Sequence, residues 1–370
     1  MGRILKESII VAFAFVGVVV GAGFATGQEI FQFFTSHGAY SISGIIVTGL
    51  LITLGGMVVM HTGHHLKSRN HSDSINYFLY PSIARGFDII LTMFMLSLAI
   101  IMTAGGASTI HQSFNLPYWL SALILVAFIL ATLFLKFDRL IAVLGGVTPF
   151  LIAIVIMIAV YYFTTSHLDF TAANNDAQIH KQKSLSPGWW FDAINYASLQ
   201  IAAAFSFLSV MGSKVKYRDS TLYGGLIGGL IITFLLMMIN LGLISQFDKI
   251  KHVDLPTLKL ATQMSPSIGI IMSVIMILVI YNTVVGLMYA FASRFSVPFS
   301  RRYFIIIITM AVITYISTFI GFISLIGKVF PIMGLFGFIL LIPVLYKGLI
   351  KRITGKSHID GFRSHHHHHH

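Results

Sequence analysis

Ten apolar stretches, each long enough to cross a bilayer, constrain this chain more than anything else in it. They run over 8–34, 40–62, 84–109, 117–135, 140–162, 188–212, 220–246, 265–293, 303–322 and 329–346. About 20 apolar residues span the hydrocarbon core as a helix, and the longer stretches have surplus for tilt. In lipid each backbone N–H and C=O must find its partner within the segment, so such stretches fold as helices. The expected class is all-α: a polytopic membrane protein with ten transmembrane helices. A mean hydropathy of +0.86 with only 10% charged residues agrees. Cysteine is absent, which removes disulfides, thiolate metal sites and thiol nucleophiles. His365 to His370 read as a purification tag.

The excess of basic residues, 24 against 12 acidic, raises nucleic acid as a partner, but their distribution argues otherwise. With a cytoplasmic N-terminus, Lys181, Lys183, Lys249, Lys251, Lys259 and Lys328 alone fall on the outer side. All the others, from Arg3 and Lys6 to Lys356 and Arg363, fall on the inner side. That asymmetry predicts both termini inside a bacterial cytoplasmic membrane and makes the basic residues ordinary membrane anchors.

The hydrophilic stretch 163–187 divides the spans into a first repeat, 1–162, and a second, 188–350. A cytoplasmic tail, 351–364, and the tag, 365–370, follow. Five spans per half give the halves inverted topology, although no residue-level repeat is visible. Each half opens with an odd helix. Span one contains Gly21-Ala-Gly-Phe-Ala-Thr-Gly27 followed by Gln28 and Glu29. Three glycines in seven residues disfavour helix, and a carboxylate just beyond them is expensive in lipid. Span six contains Asp192, Asn195, Tyr196, Ser198, Gln200, Ser206 and Ser209 around Ala202-Ala-Ala204. Paired interrupted helices at matching positions point to a transporter's central site, so helices one and six are expected to be broken. N–H groups freed near Thr26 to Glu29 favour an anionic group, and carbonyls freed near Gly21, Ala22 and Phe24 suit a small cation.

The block Val20-Gly-Ala-Gly-Phe-Ala-Thr-Gly-Gln-Glu-Ile30 near the start of a ten-span chain of this length resembles the YkvI-like membrane proteins of bacteria. These are grouped with the amino acid–polyamine–organocation superfamily of permeases. The resemblance implies the five-plus-five inverted-repeat fold named after the leucine transporter LeuT. It also implies, as in many superfamily members, a sodium ion between the span-one break and span eight. The matching stretch here is Tyr281-Asn282-Thr283, where Asn282 replaces one of the usual pair of hydroxyls. Some relatives carry a span-five lysine instead of sodium, but 140–162 contains no lysine or arginine. A proton on Glu29 is the other coupling ion considered, and no cofactor is expected.

Each candidate has a plainer reading. Gly21, Gly23 and Gly27 also suit close helix packing. Glu29 lies about eight residues past the break, roughly 12 Å at helical rise, where water is another partner. Tyr196, Ser198 and Gln200 line the expected cavity or bond between helices, and Phe24 and Phe205 give it apolar wall. Thr103, Gly105, Gly106 and Ser108 face either the site or a packed neighbour. Asp192 follows an aromatic anchor and reads as a helix cap. His61, His64 and His65 have metal-ligand spacing but lack a carboxylate nearby, and read as interfacial. The loop Asp248 to Pro256 with a short helix over 257–264 is either an outer lid or a plain connection.

These features favour a secondary transporter of a small solute, an amino acid or similar zwitterion or anion, working by alternating access with Na⁺ or H⁺. The alternative is a sensor or channel subunit that works with a partner protein. An enzyme is disfavoured, because the chain has no HExxH, GxSxG or phosphate-loop motif and no paired carboxylates within a span.

Overall fold

The computed structural model describes residues 1–20, 26–66, 77–135, 148–181 and 187–350. The described residues are helical, with no strand among them. In chain order the helices are α1 (Gly2–Val19), α2 (Gln28–Phe33), α3 (Tyr40–Leu66), α4 (Pro81–Phe114), α5 (Tyr118–Phe134), α6 (Thr148–Thr165) and α7 (Thr171–Lys181). They continue with α8 (Trp189–Lys214), α9 (Arg218–Ser245), α10 (Phe247–Ile250), α11 (Pro256–Met264), α12 (Pro266–Phe295), α13 (Arg301–Ser317) and α14 (Phe322–Leu345). Six helical segments are individually long and apolar enough to cross a membrane: Tyr40–Leu66, Pro81–Phe114, Arg218–Ser245, Pro266–Phe295, Arg301–Ile320 and Phe322–Gly348.

The helices form two groups. In one, α1 lies along α9, α3 lies along α8, and α9 also packs on α3. In the other, α4 packs on α12, with α5 beside α4 and α13 beside α5 and α12. Helix α14 runs mainly along α8 and also touches α4 and α3. Glycines set the closest approaches in the first group. A Cβ on Gly63 of α3 would overlap the Ser209 carbonyl of α8, and one on Gly212 of α8 would overlap the Met60 carbonyl of α3. On α9, Gly224 and Gly228 lie against Val11 and Phe15 of α1, while Gly225 and Gly229 lie against Met57 and Thr53 of α3. One small-residue stripe thus admits two neighbours, as in other membrane helix pairs.

Polar ties close the ends. Glu7 accepts from the backbone N–H groups of Lys216 and Tyr217 at 3.0 and 2.9 Å, fixing the start of α1 to the α8–α9 turn. Asp88 at the start of α4 pairs with Arg294 at the end of α12.

Three expectations need correction. Helix α8 is continuous from Trp189 to Lys214, so helix six is not broken. Ala202-Ala-Ala204 is the best helix-forming composition available, and Ser198 satisfies its hydroxyl on its own helix, donating to Ile194 O at 2.9 Å. The stretch 163–187 is not all loop. Asp169 accepts from Thr171 N–H and Oγ1, and α7 starts there. The final helix begins at Phe322 instead of 329, because the chain turns at Thr318–Ile320 and at Gly321, whose φ is +100°. Lys328 is exposed, so its position within the helix costs little.

Candidate binding site at the interrupted first helix

Helix α1 stops at Val19, and α2 begins at Gln28 behind Gly27, which holds a left-handed φ of +80°. The interruption of span one is therefore present. Gly21, Ala22, Gly23 and Phe24 lie outside the described residues, so the carbonyls expected to hold a cation are not placed. The second half of the span is a six-residue helix, shorter than expected, followed by a tight turn over Thr35–His37.

Thr26, Gly27, Gln28 and Glu29 are all buried. Gln28 N–H donates to Thr26 Oγ1 at 3.4 Å, which turns the chain into α2. With its amide nitrogen toward the 248–256 loop, Gln28 donates to the carbonyls of Val253 and Asp254, both at 3.2 Å, and its oxygen accepts from Gln32 Nε2 at 2.8 Å. Tyr196 Oη donates to Glu29 Oε2 at 3.4 Å. The Tyr196 ring is held between Phe33 and Phe34, at centroid distances of 5.4 and 5.0 Å. So the sequence-predicted Thr26, Gly27, Gln28, Glu29 and Tyr196 do come together, and Glu29 is only 4% exposed. The plainer reading of Glu29 as a solvated surface group does not hold.

The loop from Asp248 to Pro256, with α11 after it, covers this place. Helix α11 puts Thr257 directly against Gly27: a Cβ there would overlap Thr257 Oγ1 and lie 3.0 Å from the Thr257 nitrogen. Thr257 Oγ1 is buried and has no hydrogen-bond partner among the described residues. Asp254 accepts from Ser108 Oγ of α4 at 3.2 Å while its carbonyl faces Gln28. The loop thus bridges the span-one break and the second helix group. His37 Nε2 meets Asp192 Oδ2 at 2.5 Å, pinning the turn after α2 to the start of α8. Asp192 is neither an isolated cap nor in the site.

The remaining candidates are dispersed. Thr103 is buried in α4 and its hydroxyl bonds Ala99 O of its own helix. Gly105 lies against Phe322, and Gly106 against Leu125 and Ile280, so these glycines serve packing. Ser198 and Asn195 face α14: Gly337 sits on the Ser198 carbonyl and Gly334 on the Asn195 side chain. Gln200 is half-buried on α8. Phe205 is buried and meets Phe78 at 6.2 Å. Asn282 Oδ1 is buried without a hydrogen-bond partner among the described residues, whereas the Thr283 hydroxyl bonds Val279 O at 2.8 Å. No group of three or more histidine or acidic side chains able to hold a metal ion exists among the described residues. His64 Nδ1 meets Gly212 O of α8 at 3.2 Å.

Sequence reasoning missed Thr257, Gln32 and the Thr35–Asn240–Ser41 set. Thr35 Oγ1 donates to Asn240 Oδ1 and Asn240 Nδ2 donates to Ser41 Oγ, both at 2.8 Å, locking the turn after α2 onto α9. The one visible signal was Asn240 itself, a lone amide in an apolar span.

The chain is 25% identical over 329 residues to the uncharacterised membrane protein YkvI of Bacillus subtilis (strain 168), covering 87% of this chain and 91% of that one. It is 23% identical over 337 residues to the uncharacterised protein YyaD of the same organism, covering 91% and 95%. The resemblance first carried by the span-one block therefore extends along nearly the whole chain. No family model matches it. Among solved structures, it is similar to the manganese transporter of Eremococcus coleocola in complex with an aromatic bis-isothiourea substituted compound. The TM-score there is 0.54 with 16% identity, over 92% of this chain and 78% of that one. A single-residue mutant of that transporter gives a TM-score of 0.55 at 13% identity and the same coverage. At these identities the likeness to solved structures is one of fold.

Proposed function

We propose that this protein is a secondary transporter of a small solute, an amino acid or similar zwitterion or anion, built as a five-plus-five inverted repeat in a bacterial cytoplasmic membrane with both termini inside. The observation that carries this reading is the interrupted first span. Its left-handed Gly27 and buried Gln28, Glu29 and Tyr196 sit under a loop that bridges both helix groups. Irregular backbone at membrane depth is tolerated where it serves a cavity. The fold likeness to a transporter supports the reading. So does the packing order. Exchanging the first and second halves turns the α1–α9 contact into α8–α3, and α4–α5 into α12–α13. That is the pattern an inverted repeat produces.

Transport of a divalent metal is the weaker fit, since the site offers one carboxylate and no ligand cluster among the described residues. The coupling ion is Na⁺ or H⁺. A carboxylate at Glu29 with one long hydrogen bond needs a neutralising partner, and either ion supplies it. The orphaned Asn282 oxygen offers a further cation ligand.

Thermal stabilisation of the purified protein by amino acids and related solutes, with and without sodium at two pH values, followed by uptake into liposomes, tests the proposal. A stabilising solute that is also taken up is the expected result. No shift with any small solute, together with a protein that co-purifies reproducibly, would replace the transporter by the sensor subunit.

A further inference from the structure

Residues 77–79 run as a short buried segment into the start of α4. Tyr77, Phe78 and Leu79 are 5%, 3% and 8% exposed, burial far beyond that of an ordinary inter-helix connection. Phe78 stands edge-on to Tyr77 at 5.1 Å and to Phe205 of α8 at 6.2 Å. Phe78 therefore meets α8 nine residues further along than Tyr196, roughly 13.5 Å at helical rise. The segment is held from the opposite side by the last span. Lys347 Nζ donates to the Tyr77 carbonyl at 2.5 Å and lies 5.1 Å from the centroid of the Tyr77 ring. Lys347 sits in a π-helical turn, Tyr346–Ile350, that follows α14. Such turns aim a side chain that a regular helix would direct elsewhere. Gly348 in the same turn lies against Val58 of α3, so the turn has no room to drift away from the segment.

We infer that Tyr77, Phe78 and Leu79 form an inner gate under the candidate site, and that Lys347 is its latch. The inference rests on the transporter reading for its purpose, and on its own contacts for its existence. A cation over an aromatic ring, with a charge-assisted hydrogen bond to the same residue, is strong enough to hold a gate shut and weak enough to release it. The latch joins the last span to the connection between the second and third. Movement of either would free Phe78 from its contact with Phe205.

The chain lacks cysteine, so a single introduced thiol reports local exposure without background. Ala204→Cys on α8 places the thiol beside Phe205, and Ala122→Cys on α5 places a second reporter at a buried position in the other helix group. In purified protein with the native Lys347, both should react slowly with a water-soluble maleimide. Lys347→Met should speed labelling of the Ala204→Cys thiol about ten-fold and leave that of Ala122→Cys unchanged. Lys347→Arg, which keeps the cation, should restore most of the protection. Equal labelling at Ala204→Cys with and without Lys347 overturns the inference. A rise at both reporters also overturns it, because Lys347 would then support the whole fold instead of one gate. The labelling needs no solute. A latch that behaves as expected in a protein that transports nothing removes the transport reading alone, and unchanged labelling in a protein that transports removes the gate alone.

Discussion

The hydroxyl of Tyr196 on α8 reaches 3.4 Å to the carboxylate of Glu29 on α2, joining the short second piece of span one to a helix from the other half of the chain. Tyr196 cannot turn away, because Phe33 and Phe34 hold its ring. Tyr196→Phe leaves the Glu29 carboxyl without that donor and should lower stability by about 1–3 kcal/mol. Glu29→Gln keeps an acceptor for the hydroxyl and removes the charge. It should melt at or above the wild-type temperature, while its solute-induced stabilisation loses dependence on sodium and pH. Melting curves of both variants across pH check this. A Glu29→Gln protein that keeps the wild-type ion dependence would exclude Glu29 from coupling.

Gly27→Ala should destabilise the protein by more than about 1 kcal/mol, since an L side chain is strained at a φ of +80° and its Cβ would push on Thr257. The loss should be accompanied by faster proteolysis within 248–264, because Thr257 anchors that cover. Limited proteolysis with mass mapping is the measurement. Destabilisation without any change in cleavage within 248–264 would show that the strain, and not the docking, dominates.

Gly63→Ala should cost about 1–3 kcal/mol, an overpacking penalty, because the new methyl group meets a backbone carbonyl of α8 that cannot rotate out of the way. Gly2→Ala is the matched control, as nothing stands within 4 Å of its Cβ direction. Thermal unfolding of the two in one detergent decides the point.

Acid should release the start of α1. Burial pushes the Glu7 carboxyl up, but the backbone N–H groups of Tyr217 and Lys216, the Ser220 hydroxyl and nearby His64 together hold the group below its ordinary 4.5. A group whose folded value is depressed contributes stability above its unfolded value, and that contribution disappears as pH falls through the folded one. The wild type should therefore lose a small increment of stability below about pH 4.5 that Glu7→Gln lacks. Hydrogen exchange of residues 2–8 at pH 6 and pH 3.5 reads it, and identical exchange in both proteins at both pH values would dismiss the tie.

Much of this architecture is legible in the chain because lipid leaves so few options. Apolar length located the helices, and three glycines before Gln28 and Glu29 located the interruption. Span six was misread because polar side chains were taken as a sign of broken backbone. In fact Ser198 satisfies itself on its own helix, Asn195 faces α14 and Tyr196 faces Glu29. The polar groups mark what the helix touches and say nothing of its continuity. Helix α7 escaped notice because its pattern is polar. The long-range partners of Gln28, Asp192 and Tyr77 were invisible in principle, since nothing local in sequence encodes which loop folds over which break.

The close seating of α8 has a mechanical consequence. Gly63 and Gly212 press it to α3 near its end, Gly334 and Gly337 press α14 onto its first half, and Thr48 of α3 donates to its Ala193 carbonyl near its start. A rod gripped at several points along its length swings only with the elements that grip it. The two opening helices are mechanically unequal: the first span can bend where Gly27 interrupts it, whereas α8 can shift only as one piece.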